Sequence, residues 1–156
     1  MKKLSIVTIV AVFAFSITYA FENEPDGFRG IMWGTQLKDS NEIVLGYEKN
    51  DMSTYVAVNE KLEMGDAKLK YIGYQCYKNK FCSAMIVFEG LENFRYLKNT
   101  FLELYGKPTP QSDGYLYVWN GKSMFIYIMY TEDHDEGRIH YQYKPIWGSQ
   151  PEDNKK

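Results

Sequence analysis

Nucleophilic and acid–base catalysis need a Ser, Cys or carboxylate brought against a His or a second acid. The chain holds two histidines, His134 and His140. His134 lies within Glu132-Asp133-His134-Asp135-Glu136-Gly137, a donor set that suits a hard or borderline divalent cation. Its spacing matches neither the twelve-residue calcium loop nor a zinc-binding helix. The run therefore reads as a solvated turn between two strands, with no metal. His140 falls on the polar side of an alternating stretch and reads as exposed. No Gly-x-Ser-x-Gly and no phosphate-cradling glycine loop occurs. Carboxylates flanking His134 in sequence do not make a triad. Paired carboxylates for glycoside cleavage depend on a separation set by the fold. They keep a small exported enzyme open as one reading, but no catalytic residue and no cofactor is expected.

Cys76 and Cys82 flank Tyr77-Lys78-Asn79-Lys80-Phe81. A three-residue turn at Lys78–Lys80 would set Tyr77 against Phe81 and Cys76 against Cys82, close enough to bridge. The expectation is a disulfide, contributing about 2 kcal/mol from so small a ring. A redox-active pair is disfavoured, because the spacing is not Cys-x-x-Cys and no helix start lies there to lower a thiol pKa.

Aromatic residues make up 17% of the chain, 14 of them Tyr. Tyr and Trp carry an apolar body with a polar tip and favour interfaces. Tyr115, Tyr117 and Trp119 share one face of an alternating segment. They form a binding platform if exposed, or core if a helix covers them. Trp33 and Trp147 read as pins holding the chain ends to the body.

The leader Met1–Ala20 reads MKKLSIVTIVAVFAFSITYA: two lysines, an apolar run too short to span a bilayer comfortably, and small residues at Thr18 and Ala20. This is the pattern of a secretory signal peptide cleaved before Phe21. It predicts a periplasmic or secreted protein with no membrane span after cleavage, in a compartment that permits disulfides. With 18 basic and 20 acidic residues, the chain lacks the basic footprint of a nucleic-acid binder.

One α+β domain over 21–147 is expected, followed by a disordered polar tail at 148–156. Thr35 caps a short helix from Gln36 to somewhere near Asn41–Leu45. Gly46–Met52 reads as loop and Ser53–Asn59 as a strand. Gly65-Asp66 marks a turn, and Ala67–Tyr77 with Phe81–Phe88 form a hairpin. Its better core face carries Ile72, Tyr74, Cys76, Cys82, Ala84, Ile86 and Phe88. Leu91–Tyr105 has apolar residues at three- and four-residue steps and stops at Gly106 and Pro108: a helix about 22 Å long. Tyr115–Trp119 and Lys122–Tyr130 flank Asn120-Gly121, a hairpin signal. In Arg138–Lys144, Ile139, Tyr141 and Tyr143 point inward. The order is α-βββ-α-βββ: about six antiparallel strands packed by one long and one short helix.

Leu104-Tyr105-Gly106-Lys107-Pro108 ends a helix that leads to an aromatic strand with Trp119 and two more strands. This resembles the half-unit of the small lipoprotein of the outer-membrane β-barrel assembly machinery, found in tandem in secreted β-lactamase-inhibitor proteins. Gly30-Ile31-Met32-Trp33-Gly34-Thr35 before Leu37 resembles the opening of such a unit. Phe28–Leu37, Leu62–Lys70 and Phe88–Pro108 also resemble a group of small exported bacterial proteins of unknown function. No Cys follows the cleavage point, so the lipid anchor of the lipoprotein pattern is missing. The resemblance implies protein binding rather than catalysis, with another protein or an envelope component as partner. A carbohydrate- or cell-wall-binding domain is the alternative, with Trp119 as its stacking ring.

Overall fold

The computed structural model describes Phe21, residues 23–109 and residues 114–149. The leader with its cleavage point, and 150–156 of the polar tail, lie outside the described residues. The short strands β1 (Gly27–Phe28) and β2 (Ile31–Met32) form a small hairpin. Then come β3 (Ile43–Lys49), β4 (Met52–Ala57), β5 (Glu63–Met64), β6 (Ala67–Tyr77) and β7 (Lys80–Glu89). Helix α1 (Leu91–Tyr105) follows, then β8 (Leu116–Asn120), β9 (Met124–Thr131), β10 (Glu136–Tyr143) and the one-turn helix α2 (Lys144–Trp147). The fold is α+β. Eight strands form one antiparallel sheet in the order β3-β4-β6-β7-β10-β9-β8, with β5 added on β6.

The helix is where its periodicity puts it. Phe94, Leu97, Phe101 and Tyr105 turn one stripe into the core, at the three- and four-residue steps that keep side chains on one helix face. Gly106 ends it with a positive φ of 73°, open to glycine. Because β8 is the far edge of the sheet, α1 carries the chain from the central β7 across three strand positions. The meander β8-β9-β10 then returns to β7.

Only the second half has the expected α-βββ order. No helix forms at Gln36–Leu45. There, Gly34 N–H donates to the Phe81 carbonyl (2.7 Å) and Phe81 N–H to the Thr35 carbonyl (2.8 Å), and Gln36 bridges Lys80. Thr35 thus caps nothing; the segment runs extended along the start of β7. Leu37 is its one strong apolar anchor, at 7% exposed, too few for a helix stripe. The expected loop at Gly46–Met52 is largely strand: β-branched Ile43 and Val44 start β3, Gly46 sits at a bulge, and Asn50 (φ 55°) turns the chain into β4. The sheet therefore has eight strands rather than six.

The face carrying Ile72, Tyr74, Ala84, Ile86, Phe88, Ile126, Ile128, Ile139 and Tyr141 is buried. Two elements cover it. Helix α1 lies over the β8–β9–β10 side, where Phe101 packs at 5.7 Å from Trp119 and 5.9 Å from Tyr141 (ring centroids). The N-terminal hairpin lies over the rest, Phe28 meeting Tyr74 at 5.8 Å and Tyr141 at 5.3 Å. Gly137 is required here. A Cβ on it would lie 2.0 Å from the Phe88 ring, well inside contact distance.

The expected disulfide is absent: Cys76 and Cys82 are free, buried thiols. The turn has two residues, not three. Lys78 (φ 50°) and Asn79 (φ 62°) are both left-handed, the geometry of a two-residue type I′ hairpin. Tyr77 then pairs with Lys80 and Cys76 with Phe81. Cys82 is the extra residue of a bulge, so Phe81 takes the core-face place expected of it. Burial pushes both thiols up to about 12.

Candidate functional site

The stripe Tyr115, Tyr117, Trp119 lies under α1. Trp119 is 1% exposed, and its indole N–H donates to the Gly106 carbonyl at 3.0 Å. Tyr117 is half-buried beside Phe94 (6.3 Å). Tyr115 remains exposed at the end of the stripe, edge-on to Phe94 and Tyr130. These three residues are not an exposed platform; they are core at one end and rim at the other. Trp33 and Trp147 act as the pins expected of them. Trp33 stacks on Phe81 at 4.7 Å, and Trp147 meets His140 edge-on at 5.2 Å.

The acidic turn at Glu132–Gly137 is held by its own neighbours. Tyr115 hydroxyl donates to Glu132 Oε1 (2.6 Å), Tyr130 hydroxyl to Asp135 Oδ1 (2.5 Å), and Arg138 to Glu136 Oε1 (3.0 Å). The bond to Asp135 comes first, and burial second, in pushing the Tyr130 hydroxyl up to about 12. No group of three or more metal-ligating side chains converges among the described residues.

His140 is buried rather than exposed. It belongs to a polar cluster inside an otherwise apolar layer. Nε2 lies 2.6 Å from Ser83 Oγ and 3.0 Å from Gln75 Oε1; Ser83 Oγ–H donates to Gln75 Oε1 at 2.9 Å. Gln142 turns its Nε2–H group to Nδ1 at 3.1 Å. A ring nitrogen that accepts carries no proton, so the proton of the neutral ring is on Nε2, which donates toward Ser83 and Gln75. That nitrogen has no lone pair for the serine proton, so this is not the arrangement of an activated Ser–His pair. Burial pushes His140 down to about 4. Trp147 of α2 closes one side and Tyr127, at 5.6 Å, another. Ser83 is 0% exposed, so no substrate reaches it. The cluster is a satisfied polar plug. Sequence parity places His140 on the outward side of its strand correctly; it does not show that α2 folds back over it.

Among the described residues, the face opposite α1 is covered only where α2 folds onto His140. Strand pairing sets on it Val44, Tyr47, Met52, Val56, Tyr71, Met85, Val87, Leu116, Phe125, Tyr127 and Met129, and, toward its middle, the polar cluster of Gln75, Ser83, His140 and Gln142 under α2. Val44, Tyr47 and Leu116 are exposed and the other apolar and aromatic residues are half-buried. Tyr71 lies flat across Gly73, where a Cβ would be 2.8 Å from its hydroxyl. Charges stand mostly at strand ends: Lys49, Lys80, Glu89 and Glu136. Arg138 stands inboard, bonded to Glu136. An aromatic- and Met-rich surface with few charges has the make-up of an interface centre. The signal for it was present in sequence as two apolar faces on the β8–β9 hairpin. What sequence lacked was which face the helix takes.

The edge strand β3 is protected. The Leu45 N–H, on this edge, is taken by Asp39 Oδ1 (2.6 Å), and the bulge at Gly46 breaks the register. Both devices discourage an added strand.

No family model, curated protein or solved structure matches this chain. No helix among the described residues is long and apolar enough to cross a membrane.

Proposed function

We propose that the chain is an exported, non-catalytic module that binds a protein partner, in envelope assembly or as an inhibitor, through the sheet face that α1 leaves uncovered. One observation carries the reading: on that face six strands, β3, β4, β6, β7, β8 and β9, present apolar side chains on both sides of the polar row Arg138, His140 and Gln142 of β10, more apolar surface than an antiparallel sheet with one wet face alternates outward. The half-unit resemblance of Leu104–Pro108 and the strands after it points to the same class of role. Burial of Trp119 removes the ring on which the carbohydrate reading relied.

The test is site-specific crosslinking by the full chain in its native envelope. A photo-reactive residue at Met129, on the uncovered face, is expected to trap a discrete partner. One at Asn99, on the outer side of α1, is expected to trap none. Trapping from Asn99 alone, or equally from both, overturns the assignment of the face.

A further inference from the structure

A concave surface lies on the other side of the sheet, between the N-terminal hairpin and the edge strands β3 and β4. It is an open cavity of about 710 Å³, within the usual range for small-molecule sites. Its apolar walls are Ile31, Met32, Leu37, Ile43 and Ala57, and the charged groups on it are Arg29, Glu42 and Glu60.

Glu60 is the unusual member. Its side chain is 11% exposed. Oε1 accepts two bonds, from Arg29 (2.6 Å) and from the Tyr74 hydroxyl (2.5 Å). Oε2 is buried and has no donor. A buried carboxylate oxygen without a partner is costly and calls for a reason. Arg29 cannot supply the missing donor as placed: its guanidinium also serves the Lys61 carbonyl (2.9 Å) and the Glu63 carbonyl. Burial, reinforced by the Glu60 bond, pushes the Tyr74 hydroxyl up, so it stays a donor to Oε1. With Arg29 balancing one carboxylate, the cavity keeps one net negative charge.

We propose that this cavity binds a small amphiphilic amine, its ammonium group between Glu60 and Glu42 and its apolar part against Ile31, Leu37, Ile43 and Ala57. An ammonium matches both the net charge and the missing donor, and its three N–H groups can serve two carboxylates. The terminal torsion of a glutamate is soft, so the carboxyl plane turns to meet the ligand. The site is separate from the uncovered sheet face and does not depend on the protein-binding reading.

The test is a titration of the purified chain, followed by backbone amide shifts, with hexylammonium, hexanol and hexanoate. Hexylammonium is expected to give saturable shifts confined to residues 29–32, 42–43 and 57–60. Hexanol should bind about tenfold more weakly, the loss expected for a charge-assisted bond. Hexanoate should give no saturation. Glu60→Gln should weaken hexylammonium about tenfold, as a charged partner is lost. Should that variant fold poorly, Glu42→Gln and Ala57→Phe carry the test, the second by filling the cavity and abolishing binding of every probe. Absence of saturable shifts, equal binding of hexanol and hexylammonium, or binding that survives Ala57→Phe overturns the proposal.

Discussion

The indole N–H of Trp119 donates to the carbonyl oxygen of Gly106, joining the end of the helix to the far edge strand of the sheet. Trp119→Phe removes that bond and takes the indole donor from a half-buried acceptor. A loss of about 2 kcal/mol in unfolding free energy is expected. Tyr115→Ala, at the exposed end of the same stripe, should cost less than about 1 kcal/mol. Urea unfolding of both variants checks the contrast. Similar losses would mean that the two rings are equally packed.

His140 makes stability fall with acid. In the unfolded chain it takes its ordinary pKa of 6.5, and in the fold burial holds it near 4. Above pH 6.5 the ring is neutral in both states and its contribution is complete. Between 6.5 and 4 the unfolded chain binds a proton that the folded chain refuses, and stability drops by about 3 kcal/mol in all. Below 4 this group adds no further change. Denaturation midpoints measured from pH 7.5 to 4 for the parent and His140→Gln should diverge in slope within that window. Parallel curves would show that His140 is not the group responsible.

The two thiols should be silent in the native protein. Both are buried and held at about 12, so the reactive thiolate is scarce. A thiol titration without reductant is expected to find neither group under native conditions and both Cys76 and Cys82 in guanidinium. Recovery of both only after reduction would show a bridge that the two-residue turn does not favour.

Gly137→Ala should be destabilising by about 1–3 kcal/mol, the range for overpacking a filled core. The new methyl would meet the fully buried Phe88 ring. Phe88→Leu in the same chain should return part of that loss. Strict additivity of the two changes in thermal unfolding would place the strain elsewhere.

What could be read from the residues was whatever repeats locally. Phe94, Leu97 and Phe101 recur at helical spacing, and the structure buries them. Ile139 and Tyr141 alternate, and both point inward. The turn expected at Gly65-Asp66 is there, and it joins β6 to the unexpected short strand β5. Partnerships across the chain were not legible. Asn120-Gly121 signals a two-residue turn, yet Asn120 pairs with Phe125. The longer loop is held by Glu24, whose carboxylate takes the Ser123 and Met124 N–H groups at 2.8 and 3.0 Å. Nothing near Gly121 announces a ligand a hundred residues away. The cysteine register failed for a smaller reason: one bulged residue exchanges the places of Phe81 and Cys82. The amine cavity depends on Arg29, Glu60 and Tyr74, which come from three separate stretches of sequence.

The position of β10 beside β7 has a consequence for how the chain is made. Ile86 finds its neighbour in Ile139, so the middle of the sheet is the last seam to close. Until Glu136–Tyr143 arrives, Phe81–Phe88 is paired with β6 on one side only, and the amides of its other edge are unclaimed. Such a border recruits strands from other molecules. A polypeptide ending anywhere before Glu136 is therefore a seed for aggregation, not a smaller working version of the domain.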